Sequence, residues 1–206
     1  HEAPGTDGPP VAWWFYEDHK YSVKRLIAAA GYAPEEITLA GVRYDDADMR
    51  PGCWKQKERL DDMTINHVQA SMCYPNYPRF AGQRFLEAKD RDLARLCVKA
   101  YNDWMVDEWC AGSGGRLVPL TLVPLWSPQL AAAELLRNAA RGVKAVAFTE
   151  IPPYLDLPSI HSGEWDPFFA ACDETGTVIN MHIGSGSRMP STSADAPMMA
   201  MVLIRV

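Results

Sequence analysis

At 206 residues the chain is long enough for one large domain with a real core. Its 48% hydrophobic and 22% charged content is that of a soluble globular protein and argues against disorder. A net charge of −6 and a pI near 5.4, without a basic stripe, set nucleic acid aside as a partner, and no apolar run approaches the roughly 20 residues of a membrane span.

Roughly the first 60 residues read as an irregular N-terminal excursion rich in turn-formers. It holds the aromatic cluster Trp13, Trp14, Phe15 and Tyr16, a short helical candidate over Ser22–Ala30 stopped by Gly31, and the turn Arg50-Pro51-Gly52. A strand is expected over His67–Tyr74, ending at Pro75. A long helix follows over Arg84–Cys110, in which Leu93, Leu96, Cys97, Ala100, Tyr101, Trp104 and Met105 recur at i, i+3, i+4 spacing and predict a buried stripe. The glycine-rich stretch Ala111–Gly115 ends it.

Leu117–Leu125 is the next expected strand. Ser127-Pro128 supplies an N-cap with proline in the first turn, opening a helix that Gly142 closes. Lys144–Phe148 reads as a strand, Asp166–Thr175 as a helix stopped by Gly176, and Val178–His182 as another strand. Short, almost continuously apolar strands alternating with helices mean βαβ units, hence an α/β fold with a parallel sheet buried on both faces. The parallel strands are expected near 67–74, 117–125, 144–149 and 177–183. An open doubly wound sheet and a barrel look alike at this level. The lack of a Gly-x-Gly-x-x-Gly or phosphate loop after any strand speaks against a nucleotide-binding sheet.

Cys53, Cys73, Cys97, Cys110 and Cys172 form an odd, widely spaced set with no C-x-x-C pair. That pattern reads as reduced thiols in a cytoplasmic protein, against a disulfide framework or a zinc knuckle.

The segment Val178–Gly186 carries the most chemistry. A short apolar run delivers His182 and then breaks into Gly184-Ser185-Gly186, as a buried parallel strand presents a ligand at its carboxyl end. A neutral imidazole is the commonest metal ligand, but catalytic sites take about three protein ligands. Glu150 follows the preceding strand and belongs on the same rim. His161, before Trp165-Asp166-Pro167, either contacts substrate from a βα loop or caps a turn. Arg50 and Arg79 flank proline turns and are candidates to bind a substrate carboxylate, with loop bracing as the alternative. His67 opens a strand at the wrong rim, and His1 and His19 have no assigned place. No Gly-x-Ser-x-Gly elbow and no His-Glu-x-x-His occurs.

Tyr101-Asn102-Asp103-Trp104, Arg116-Leu117-Val118-Pro119-Leu120, Gly142-Val143-Lys144-Ala145-Val146, Leu157-Pro158-Ser159-Ile160-His161, Trp165-Asp166-Pro167 and Met181-His182-Ile183-Gly184 occur in this order. With this ordered set the chain resembles the metal-dependent amidohydrolases related to aminocarboxymuconate-semialdehyde decarboxylase, most clearly from about Tyr44 to Pro197. The resemblance implies a (β/α)8 TIM barrel and a mononuclear divalent metal, usually Zn2+. The family holds its metal with a His-x-His pair on the first strand, a His after the fifth and an Asp after the eighth. His182 matches the fifth-strand ligand. No His-x-His occurs in this sequence. The expectation is therefore a partial barrel, about four parallel strands corresponding to the second to fifth, incomplete at both ends, with residues 61–206 forming the βα units. Such a piece would be unstable or would associate through its open strand edges.

Two functions follow. The first is a metal-dependent carboxy-lyase, a nonoxidative decarboxylase, or else a hydrolase, acting on a small organic acid. Its site candidates are His182 for the metal, Glu150 and His161 for proton handling, and Arg50 and Arg79 for substrate. The second is a non-catalytic, barrel-derived binding module without a complete metal site. A small-molecule substrate is expected in the first case; homo-oligomerisation is left open in both.

Overall fold

The computed structural model describes residues 11–188. In chain order the elements are β1 (Trp13–Tyr16), β2 (His19–Ser22), α1 (Gln56–Ile65), β3 (Ser71–Met72), α2 (Gln83–Leu86), α3 (Arg91–Trp104), β4 (Leu117–Val118), α4 (Pro128–Ala139), β5 (Ala145–Phe148), α5 (Asp166–Thr175) and β6 (Val178–Met181). Short 3-10 turns and one π-helical turn, Met105–Trp109, complete them. The chain divides into two units, one of residues up to 73 with 104–118, the other of residues 74–103 with 119 onward.

In the first unit β1 and β2 form an antiparallel hairpin whose turn places Glu17 at φ 48°. Val23, Ala28, Val42 and Met49 bury a small core beneath it, with Tyr44 and Trp54 against its edge. β3 and β4 pair in parallel, Ser71 opposite Leu117 and Met72 opposite Val118. Arg116 ties the end of α1 to this pair, donating to Thr64 Oγ1 and to the Val68 carbonyl, both at 2.9 Å.

The second unit is built on β5, where all of Ala145, Val146, Ala147 and Phe148 are buried. β6 lies parallel to it from Ala145 opposite Val178 to Phe148 opposite Met181, and Thr121 bridges Val146 in parallel on β5's other side. Phe148 sets the core: its ring stacks on Phe168 at 4.9 Å and meets Trp165 edge-on at 4.8 Å. These three rings, with Val123, Leu125, Leu135 and Val146, exclude water from the face between β5 and the helices α4 and α5. The Trp165 indole N–H donates to the Pro158 carbonyl at 2.9 Å, so its burial leaves no donor unmet. Ser127 caps α4, its Oγ accepting from the Leu130 N–H at 3.3 Å, and Gly176 ends α5 in the left-handed region at φ 63°.

Several expectations are corrected. The strand expected over Leu117–Leu125 is confined to Leu117–Val118, with Thr121 adding only a single bridge to Val146. The Ser22–Ala30 helix is absent; β2 ends at Ser22, and the following residues make one turn closed onto the Lys24 carbonyl. The excursion instead holds α1, a helix so polar that only Met63 is buried on it. The strand expected from His67 is confined to Ser71–Met72, because His67 sits at φ 57° in the turn leaving α1.

The single helix over Arg84–Cys110 is broken, because Asp90 starts a new one. Its carboxylate accepts the N–H groups of Asp92 and Leu93 at 3.0 and 2.9 Å, as an N-cap does. The expected stripe on α3 is also rotated. Of its members Leu93, Leu96 and Trp104 are exposed and Met105 is buried as expected, while the buried residues of α3 itself are Ala94, Val98 and Asn102. Asn102 belongs to the buried face, where it accepts from the Leu122 N–H at 2.8 Å and donates to the Leu122 carbonyl at 2.9 Å. One residue of offset is about 100° on a helix, enough to turn the leucines outward.

Candidate functional site

The parallel register of β5 and β6 brings their carboxyl ends side by side, so that Thr149 and Glu150 leave one strand where His182 and Gly184 leave the other. His182 is half-buried. Its imidazole stacks on Phe80, with ring centres 3.7 Å apart and planes 15° from parallel, and Tyr74 meets it edge-on at 4.9 Å. Burial pushes the Tyr74 phenol above its usual range, so a neutral ring faces the imidazole. His182 Nδ1 lies 2.7 Å from the Ile183 carbonyl. A carbonyl only accepts, so Nδ1 is the donor in this contact, and in the neutral imidazole Nε2 is then the nitrogen with the lone pair.

Glu150 faces the turn that follows His182. One carboxylate oxygen accepts the Gly184 N–H at 2.8 Å, and the other accepts the Gly186 N–H at 3.0 Å together with the Ser185 hydroxyl. Ser185 is fully buried. Its Oγ accepts the Glu150 N–H at 3.0 Å, its carbonyl accepts from Gln83 Nε2 at 2.8 Å and Thr149 Oγ1 at 3.1 Å, and its N–H closes onto the His182 carbonyl at 2.9 Å. Gln83, itself buried, is aimed by the Ala81 N–H, which donates to its Oε1 at 2.9 Å. Thr149 closes the strand expected over 144–149 and so falls on the same rim, but no pattern of spacing announces Gln83 or Phe80, which only the fold makes neighbours of the loop.

Of the other candidates, Arg79 joins this rim. It stands at φ 62° and donates through Nη1 to Glu87 at 2.6 Å and to the Ser187 hydroxyl at 3.2 Å. His161 lies in an exposed turn whose N–H donates to Ser159 Oγ at 3.2 Å. Arg50 belongs to the first unit, where Nε donates to Asp62 at 2.8 Å and Nη2 to its other oxygen at 2.5 Å. That fork holds the Asp62 carboxyl below its usual range. His67 is in the turn described above, His19 is exposed on β2, and His1 lies outside the described residues.

The donor set fits a metal only in part. His182 meets the requirement for a ligand, an oriented imidazole with one nitrogen committed to a backbone acceptor. Among the described residues, however, no three His, Cys, Asp or Glu side chains are grouped to hold an ion. The described residues thus supply one donor of the roughly three that a catalytic site requires. Among these residues, too, no helix is long and apolar enough to cross a membrane.

Comparison with known proteins places these observations. A family model described as Amidohydrolase matches residues 10–205. None of the curated proteins matches the sequence. Two solved structures are similar in fold. An amidohydrolase from Mycobacterium avium subsp. paratuberculosis K-10 shares 23% identity over 77% of this chain and 42% of its own, with a TM-score of 0.56. A 5-carboxyvanillate decarboxylase from Novosphingobium aromaticivorans, solved as a mutant with bound manganese and 3-methoxy-4-hydroxy-5-nitrobenzoic acid, shares 23% identity over 70% of this chain and 38% of its own, with a TM-score of 0.50. The chain therefore spans about two fifths of the length of these structures, 42% and 38%.

Proposed function

The chain belongs to the amidohydrolase family, whose fold is of the TIM-barrel type, and from that premise we propose that it acts as a metal-dependent carboxy-lyase or hydrolase on a small organic acid. The observation that carries the reading is His182. It stands at the carboxyl end of a parallel strand, the rim where barrel enzymes place their chemistry, with Nε2 available and Nδ1 committed to a carbonyl. In this reading the strand pairs β3–β4 and β5–β6 correspond to the second to fifth strands of the barrel.

His182 is the residue we assign to the metal, a divalent ion with Zn2+ the first choice and manganese the ion seen in the carboxyvanillate decarboxylase. Such an ion, when bound, supplies Lewis acidity toward a carboxylate or carbonyl oxygen. Arg79 is the stronger candidate for a substrate carboxylate, since among the described residues its partners, Glu87 and Ser187, are both met through Nη1. Arg50 is the weaker one, because a substrate would have to displace Asp62. His161, exposed on the loop after β5, is the candidate to move a proton. Five free cysteines support a cytoplasmic location.

Decarboxylation is placed ahead of hydrolysis on the resemblance of the ordered motifs. The test is an assay of the native protein for carbon dioxide release from unsaturated and aromatic carboxylic acids, with and without chelator, beside ester, lactone and amide substrates. Chelator-sensitive release of carbon dioxide is the expected result. Cleavage of the second group alone would make the protein a hydrolase. Turnover unaffected by metal removal would overturn the metal reading, and a protein without metal or turnover would be the non-catalytic binding module.

A further inference from the structure

We infer that Glu150, Gln83 and Thr149 are positioning residues for His182, which they govern through a single buried serine; this rests on the proposed role of His182. Each polar atom of Ser185 is used: N–H to the His182 carbonyl, carbonyl to Gln83 and Thr149, hydroxyl to both the backbone and the carboxylate of Glu150. The Glu150 carboxylate also takes the N–H groups on either side of it, Gly184 and Gly186.

A turn that only reversed the chain would not need this. Glycine and serine at a strand end close a turn with their own backbone, and burying an amide, a hydroxyl and a carboxylate there carries a desolvation cost that their mutual hydrogen bonds must offset. The outlay is concentrated on the three residues after Ile183, whose carbonyl holds the imidazole proton. Displacing Ile183 by about an ångström would carry the Nδ1 contact beyond hydrogen-bond distance and release the ring from its chosen tautomer. The Phe80 stack fixes the plane of the imidazole, and the Ile183 carbonyl, held by the clamp, fixes which edge of the ring carries Nδ1. Glu150 thereby acts on the loop and not on a reacting atom.

The test reads the imidazole directly. Histidine is labelled with nitrogen-15 in the native protein, and the His182 signals are assigned with His182→Gln. Nitrogen shifts then report the tautomer in wild type, Glu150→Ala and Thr149→Val. The threonine variant is isosteric and leaves Gln83 on the Ser185 carbonyl, so it tests the clamp if the glutamate variant fails to fold. The wild type should show Nδ1 protonated. Both variants should move toward the mixed tautomers of a free imidazole, Glu150→Ala further, with the amide signals of β5 unchanged. Manganese affinity, read from paramagnetic broadening of His182, should fall about 10- to 100-fold in Glu150→Ala. His182 shifts identical to wild type in the folded variants would overturn the positioning role. Absence of broadening in the wild type would overturn the metal reading instead, and would leave the tautomer result standing by itself.

Discussion

Ser185 and Glu150 bond to each other twice across the ends of neighbouring strands. The serine hydroxyl donates to the glutamate carboxylate while accepting the glutamate's own backbone N–H at 3.0 Å. A reciprocal pair of this kind fixes the relative height of two strand ends, since sliding either strand breaks both bonds at once. It explains how a four-residue strand with one partner among the described residues still delivers its histidine at a defined place.

The same logic governs the outside of the second unit. Asn102 is buried on α3 and satisfies both backbone groups of Leu122, and its Nδ2 also reaches Glu134 at 2.7 Å. Asn102→Ala would strand a buried N–H and a carbonyl together. A loss of about 2–4 kcal/mol is expected, read from the shift in urea midpoint at unchanged slope. A loss below about 0.5 kcal/mol would mean that water replaces the side chain without cost.

Stability should also fall in acid through Glu134. Burial pushes its carboxyl up, but hydrogen bonds from Arg137, Asn102 and Asn138 outweigh burial and hold it below its ordinary value. A folded-state value below the unfolded one means that the stabilisation is present above about pH 4.3, the ordinary range for glutamate, and drains away as pH falls through the folded value. Urea midpoints should therefore drop between about pH 5 and about pH 3, less steeply in Glu134→Gln. Equal slopes in the two proteins would remove Glu134 from the account.

Phe148 is the aromatic centre of the core, fully buried between Trp165 and Phe168. Phe148→Ala should cost about 3–5 kcal/mol, the range for a large side chain whose neighbours cannot collapse into the space. Because Thr149 and Glu150 follow it directly, the variant should also loosen the clamp, visible as faster amide exchange at Gly184 and Gly186. Protected exchange there would show that the loop is held independently of the core.

What the sequence made legible follows from how each element is stabilised. β5 and α5 were readable because their signals are local: a strand buried on both faces, a proline in the first turn, a glycine at the left-handed C-cap. β6 stands where its apolar run put it but is not the buried strand expected, since Val178 and Met181 are exposed. The parallel pairing of β5 with β6 followed from the same alternation. α1 was missed because its residues are polar nearly all round and periodicity had nothing to register. The stripe on α3 was misread because apolar spacing does not register an asparagine, and Asn102 packs inward with Ala94 and Val98. At the site, His182 and Glu150 could be placed on one rim from strand ends alone. Ser185 looked like a loop-former, and Gln83 lies 102 positions away from it in sequence, so their bond is a product of the fold.

The account turns on His182 as a metal ligand. The direct measurement is elemental analysis of the native protein and of His182→Ala, each purified without chelator and dialysed against metal-free buffer. The prediction is stoichiometric divalent metal in the native protein and at least about a 10-fold loss in the variant, as removal of an inner ligand should cost no less than removal of its supporting partner. Wild-type metal content in His182→Ala would contradict it, and would make the stacked imidazole of Phe80 and Tyr74 a structural side chain.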